Sequence, residues 1–440
     1  MKKRILSTIL SAVLLISVIL TGCGNKSAGE VTKENRDESS VDTIRWITMS
    51  SGEEGKETKS EKLMEEFEKE TGIKVEAEYY SFSDLFDVIE TKSVAKSTDY
   101  DVMLIDVTYV SKYAENGYIT PLDDYFTDDE KAEFDNASYT AGVWDDQMFA
   151  ASRNTSTQLL FFNQKLLDEA GMEAPTSTPE DRLTYEEVAE LGRQALEKLD
   201  PDGSRGLIGF DFQQASRVYQ MNMLPNSMGG KNINDDGLSL DGVINTEPWE
   251  KSMTWYQSLV NDGIASKGYS TEEVEAQFQS GNMVFMIGGT WTPSNMAVDD
   301  EVGCTYAPCF EGYEDTVATG TGSWYVGISS QSKSKENAAK FVKFLTLGSG
   351  NDLWLEMNED VPSRNEKLQE IIDNPEADEM LKMAAYEAKN TAFPRASTPL
   401  FGEYSSILDQ MWEDVRNGAD VNKSIDSAIK QFDSAAAAYK

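Results

Sequence analysis

The chain has 440 residues, 40% aliphatic or aromatic and 26% charged, a balance that excludes a polytopic membrane protein and leaves room for two lobes, each with its own core. A formal charge of −38 opposes binding to nucleic acid or to anionic lipid. No histidine occurs, which removes Ser-His-Asp and Cys-His nucleophiles and the commonest zinc ligand. With 77 acidic residues, neighbouring carboxylate pairs arise by chance and carry no evidence of glycosidase chemistry.

Lys2, Lys3 and Arg4 precede an uncharged, largely apolar run from Ile5 to Leu20, too short to span a bilayer and suited to a signal-peptide core. Leu20-Thr21-Gly22-Cys23 follows. Small residues ahead of a cysteine resemble the bacterial lipobox, which implies cleavage before Cys23 and a diacylglyceryl group on its sulfur. Two acyl chains anchor stably where one does not. Residues 1–22 are therefore expected to be a lipoprotein signal peptide. Residues 23–42, polar and free of aromatics, are expected to be a flexible tether. The expected location is the outer face of a bacterial cell membrane, with lipid as the only anchor.

Beyond the tether, β-rich runs alternate with helical periodicity, the signature of an α/β fold with parallel sheets flanked by helices. Ile44 to Thr48 reads as a strand, Lys59 to Lys69 as a helix with Leu63, Met64 and Phe67 on one face, and Ile73 to Tyr79 as the second strand. Asp84 to Val94 reads as a helix, Asp101 to Ile105 as a strand, and Val107 to Glu115 as a helix closed by Asn116-Gly117. Around Trp144 to Arg153 the rhythm changes, WDDQMFAASRNTSTQLLFFN (144–163) reads as strand, turn and strand, and the first crossing between lobes is expected there. A helix at Gln164 to Ala170 follows. Thr184 and Glu187 form a capping box that starts a helix from Tyr185 to Leu199.

Asp236-Gly237 predicts the turn of a β-hairpin. Asn232, Asn234 and Asp236 also match the start of a calcium loop, but Val243 stands where a bidentate Glu is required, so no metal site is expected. Residues 247–262 and 271–280 read as helices, and Met283 to Ile287 as a strand. Gly288-Gly289-Thr290-Trp291-Thr292-Pro293 follows that strand, with Thr292 as N-cap and Pro293 at the first helical position. Trp291 is thereby put at the carboxyl end of a strand, the edge of open α/β sheets where ligands bind. Gly320 to Ile328 makes a second such joint, around Trp324 and Tyr325, ahead of a helix from Lys335 to Leu345. Cys304 and Cys309 would stand roughly 17 Å apart on extended chain, so a disulfide needs a turn near Ala307-Pro308.

Six stretches in order resemble the family 1 extracellular solute-binding proteins of ABC importers. They are DVMLIDVTYVSKYAENGYITPLDDY, FAASRNTSTQLLFFNQKLLDEAG, LTYEEVAELG, FQSGNMVFMIGGTWTPSNM, GSWYVGISSQSKSKENAAKFVKFLT and VPSRNEKL. With the lipobox they cover nearly the whole chain. The resemblance implies a two-lobed periplasmic-binding-protein-like α/β fold with a hinge between lobes and a ligand cleft at their interface. The expected lobes are 43–152 plus 320–350 and 153–319 plus 351–440. The resemblance further implies a monomer that binds a carbohydrate, an oligosaccharide, without catalysis or cofactor. It would hand this ligand to an ABC permease and its ATPase, with no nucleic acid as partner.

Sugars present flat C–H faces ringed by hydroxyls, so their sites combine aromatic platforms with planar charged or amide groups. Trp291 and Trp324 are the expected platforms. Asp106, directly after DVMLI, is expected as a ligand contact or as a helix N-cap. Arg153 and Asn154, at the expected crossing, are ligand contacts or parts of a structural turn. Ser50 and Ser51 after the first strand, Tyr80 and Asp84 after the second, Tyr325 beside Trp324, and Arg395 in AFPRASTP complete the expected lining, and Cys23 is the lipidation site. Trp46 is expected in the core. Trp144, Trp249, Trp255, Trp354 and Trp412 are expected to pack or lie at the surface.

Two other readings remain open. The same fold can hold a polyamine or another cation, since aromatic boxes also bind cations. A surface carboxylate-dependent glycoside hydrolase is the other.

Overall fold

A computed structural model describes residues 43–50, 58–292, 302–358 and 360–439. The expected signal peptide, tether and Cys23 lie outside the described residues, as do Ser51 and Pro293. In chain order the strands begin with β1 (Thr43–Met49), β2 (Lys74–Tyr80), β3 (Val102–Asp106), β4 (Val143–Trp144), β5 (Gln147–Met148), β6 (Ala150–Ser156) and β7 (Gln158–Asn163). They continue with β8 (Ile208–Phe212), β9 (Met283–Gly289), β10 (Val302–Thr305), β11 (Thr319–Gly320), β12 (Gly322–Ile328) and β13 (Ala392–Phe393). A five-stranded sheet runs β2-β1-β3-β12-β6 and a four-stranded sheet β10-β7-β9-β8.

Both sheets are mixed, not parallel as the alternation predicted. β1 runs parallel to β2 and β3, but β12 is antiparallel to β3 and β6, and β7 to β9 and β10. A parallel neighbour needs a long crossover connection. β7 and β12 instead arrive straight from the other sheet's side, β7 after Thr157 and β12 after Thr321, so no such connection fixes their direction.

β1 buries Ile44, Trp46, Ile47 and Thr48, which covers both faces, as an interior strand flanked by helices must. Trp46 meets the edge of Phe341 with ring centroids 5.3 Å apart, the core position expected of it. In the second sheet β7 and β9 are buried along their whole length. The helix Tyr185–Leu199 starts at the capping box read from the sequence. Glu187 N donates to Thr184 Oγ1 at 3.1 Å and Thr184 N to the Glu187 carboxylate at 2.8 Å. The second helix begins at Phe82, two residues earlier than its periodicity suggested, because Ser81 caps it.

The first crossing lies at Ser156-Thr157-Gln158, within the stretch where it was expected but a few residues beyond the expected lobe boundary between 152 and 153. The strand-turn-strand of 143–148 closes on itself as the β4–β5 hairpin, with Asp145 and Asp146 both at positive φ, 47° and 60°, as a two-residue hairpin turn needs. The hairpin expected around Asp236-Gly237 does not form. Asn234 Oδ1 instead accepts from Leu238 N and Ser239 N at 3.0 and 2.9 Å, satisfying in a local turn the groups a hairpin would have paired. The helix Ser349–Asn358 packs with Lys59–Thr71 and Lys335–Thr346 against the first sheet, so the chain leaves that body between Asn358 and Val361. Cys304 and Cys309 are free thiols: β10 holds the first beside Phe161, while the second is bonded through its backbone to Leu183 and Tyr185.

Candidate functional site

A cleft of about 1780 Å³ opens where the chain passes between the two sheets. Its floor is formed by Asn154, Thr155 and Ser156 at the end of β6, Gly322 at the start of β12, and Asp360-Val361. These passages are bonded to one another. Thr155 N donates to Val361 O at 2.8 Å, Gly322 N to Ser156 Oγ at 3.1 Å, and Thr157 Oγ1 to Thr319 Oγ1 at 2.8 Å.

One wall belongs to the first sheet. Trp324 is half-buried on β12, in register with Asp106 on one side and Asn154 on the other. Its indole lies parallel to Phe86 at 6.4 Å and edge-on to Phe82 at 6.0 Å, and Phe86 stacks on Tyr109 at 4.2 Å. Phe82 is 59% exposed, an apolar ring left open at the cleft edge.

The facing wall carries Trp291, half-buried just beyond β9, whose ring lies 5.6 Å from that of Tyr219. The indole folds back over Gly289, where any side chain would collide with it, so the glycine is required by this approach. Tyr219 shares a hydrogen bond with Ser156 Oγ at 3.2 Å, and burial pushes its phenol up to about 12. Arg395 places its guanidinium over Tyr219 at 4.9 Å and Phe401 at 5.2 Å, and reaches Asp106 at 3.7 Å. Asp106 lines the cleft, and its Oδ1 caps the next turn by accepting from Thr108 N at 3.0 Å, the N-cap role expected of it.

At the floor, Asn154 Nδ2 donates to Asp360 Oδ2 at 3.0 Å and Trp354 Nε1 to the same oxygen at 2.8 Å. Burial raises the Asp360 carboxyl above its ordinary range, against the opposite pull of the Trp354 N–H and of Arg153. Asn154 is 7% exposed, and its Oδ1 has no partner among the described residues.

The structure brings Trp291, Trp324, Asp106, Asn154 and Arg395 together around one space. Arg153 and Tyr325 are not part of it, because strand residues alternate in direction and each sits next to one that faces the cleft. Arg153 is 2% exposed, with its guanidinium 3.8 Å from the Trp354 ring, and burial lowers its pKa to about 10. Tyr325 is fully buried and donates to Ser138 O at 2.7 Å. Ser50, Tyr80 and Asp84 also lie off the lining. Ser50 N is tied to Tyr80 O, Tyr80 Oη bonds Glu78 at 2.6 Å, and Asp84 accepts from Ser81 in the first turn of its helix. Sequence reasoning missed Phe82, Phe86, Tyr109, Tyr219 and Asp360. Only Phe82 carried a signal, an apolar residue off the buried face of its helix.

Residues 50–347 match the sequence profile described as bacterial extracellular solute-binding protein. A binding protein of Brucella abortus (strain 2308) is 24% identical over 265 residues, 58% of this chain and 60% of that protein. The match therefore spans less than two thirds of that curated relative. Among solved structures, a cyclo/maltodextrin-binding protein complexed with maltotetraose has a TM-score of 0.75 at 19% identity, covering 92% of this chain and 100% of that one. An ABC substrate-binding protein from Listeria monocytogenes in complex with cycloalternan has a TM-score of 0.72 at 20% identity, covering 90% and 99%. At these identities the likeness shows a shared two-lobed fold.

Proposed function

Because the chain belongs to the bacterial extracellular solute-binding proteins, we propose that it is the substrate-binding component of an ABC importer, which captures an oligosaccharide between its lobes and delivers it to the permease and ATPase. The lobes are the bodies built on the two sheets, made of the described residues of 43–156 with 322–358 and of 158–320 with 361–439. The observation that carries the reading is that Trp324 from one sheet and Trp291 from the other line the same cleft. Their indoles offer stacking faces for sugar C–H groups, while Asp106, Asn154, Asp360 and Arg395 offer paired hydrogen bonds to hydroxyls. The cleft, at about 1780 Å³, exceeds the roughly 300–1,000 Å³ of ordinary small-ligand pockets and leaves room for several sugar rings. Maltotetraose in a relative of the same fold supports this size class. Closure on the ligand supplies affinity, and no bond is broken.

The test is tryptophan fluorescence of the mature chain titrated with a panel of oligosaccharides and polyamines, beside Trp291→Ala and Trp324→Ala. A saturable change with one sugar is expected, weakened by about tenfold, or about 1.4 kcal/mol, in each variant. A response to a polyamine alone would keep the fold and overturn the ligand. Shortened sugar after prolonged incubation would overturn the non-catalytic reading.

A further inference from the structure

We infer that the cleft selects its glycan by charge, admitting neutral and basic sugars and rejecting those that carry carboxylate, sulfate or phosphate. The inference rests on the sugar-binding reading above and deepens it. Among the described residues lining the cleft there are six carboxylates and three cations. Each cation already has an acid. Lys112 Nζ lies 2.6 Å from Glu90, Arg217 Nη2 lies 3.0 Å from Glu272, and Arg395 Nη1 lies 3.7 Å from Asp106. An anionic sugar that reaches one of these cations therefore also meets a neighbouring carboxylate of its own sign.

Among the described residues none of the other four acids lies within ion-pair distance of a lining cation, although Arg217 and Arg395 act on Asp409 from farther off. Asp360 and Asp409 are fixed in place. The first is held by the Asn154 and Trp354 nitrogens, and the second accepts from Val218 N at 2.8 Å and Ser405 Oγ at 3.2 Å. Neither can swing away from an approaching anion without giving up these bonds. Arg153 balances part of the Asp360 charge from behind, but it is wholly buried against Trp354 and offers nothing to a ligand. Asp87 and Glu403 are exposed and add to the repulsion.

A second observation points the same way. The bond from Asn154 Nδ2 to Asp360 fixes the orientation of the amide, so its unpartnered buried atom is the oxygen, an acceptor in want of a donor. Arg395 Nε is unpartnered as well, and wants an acceptor. A hydroxyl serves both atoms, whereas an ammonium serves only the first and a carboxylate or sulfate only the second, having no proton for Asn154.

The experiment is a glycan array carrying neutral, amino, uronic-acid and sulfated oligosaccharides, followed by calorimetry on the best binder and its acidic counterpart at low and high salt. The expected result is binding among neutral or amino sugars, with the acidic counterpart weaker by at least about tenfold. Salt should narrow that gap, and so should Asp87→Asn with Glu403→Gln, both at exposed positions. An acidic sugar bound within threefold of its neutral counterpart would overturn the charge selection and leave sugar binding standing. Silence across every class would overturn both.

Discussion

At the scale of single residues, chemistry was legible and direction was not. Trp324 and Tyr325 are neighbours on one strand, as are Arg153 and Asn154, and in each pair one side chain faces the cleft while the other is buried elsewhere. Alternation dictates that neighbours diverge, but only the sheet decides which of the two meets the cleft. The buried pair Arg416–Asp211 illustrates the same limit. Its partners are far apart in the chain, yet both side chains are fully buried with Nη2 and Oδ2 at 2.9 Å, and Arg416 also donates to Ser266 O. Arg416→Leu should cost about 3–5 kcal/mol, because it leaves a buried carboxylate without its counter-ion. Adding Asp211→Asn should recover part of the loss. Urea denaturation measures both, and a change within about 1 kcal/mol would mean that water screens the pair as it does at a surface.

Among the elements, local signals were readable and close approaches were not. Thr184 and Glu187 announced the start of the helix Tyr185–Leu199, and the box is present. Nothing in the sequence announced that Gly192 of this helix rests on Gly209 of β8, where a Cβ on either would lie 2.9 Å from the other's backbone. Two substitutions separate the effects. Thr184→Ala should cost about 1 kcal/mol through the lost cap. Gly192→Ala should cost about 1–3 kcal/mol through overpacking, although alanine is the better helix former. If Gly192→Ala raises the denaturation midpoint instead, the helix does not sit this close to the strand. The region around Asp236-Gly237 failed in the opposite way. Its turn chemistry was read correctly, but no strands flank it, and a turn signal says nothing about what lies on either side.

At the scale of the whole molecule, three passages among the described residues join the two bodies, and the cleft lies where they meet. The sequence showed that crossings exist but put the first one several residues early, because a hairpin and a crossing share the same strand-turn-strand pattern. The expected lipid anchor belongs to this scale too and rests on Leu20-Thr21-Gly22-Cys23. If the lipobox reading holds, Cys23→Ser should shift the expressed protein from the membrane to the soluble fraction of bacterial cells, since both acyl chains of the expected diacylglyceryl group depend on that sulfur. Retention of the variant on membranes would refute lipid anchoring through Cys23.

The sequence by itself showed the family, through the resemblance of six stretches in order, and determined the α/β character, most helix starts and the place of Trp291 at the carboxyl end of a strand, because each of these last three rests on composition or on spacing within one segment. It also identified Asp106, Asn154 and Arg395 as polar residues in positions open to a ligand. The tertiary structure decided which of the candidates share a space, that the sheets are mixed, and that Phe82, Tyr219 and Asp360 join the lining. These depend on segments distant in the chain meeting at one place. The free energy that brings them together comes from burying surface across many elements at once, and no local pattern records it.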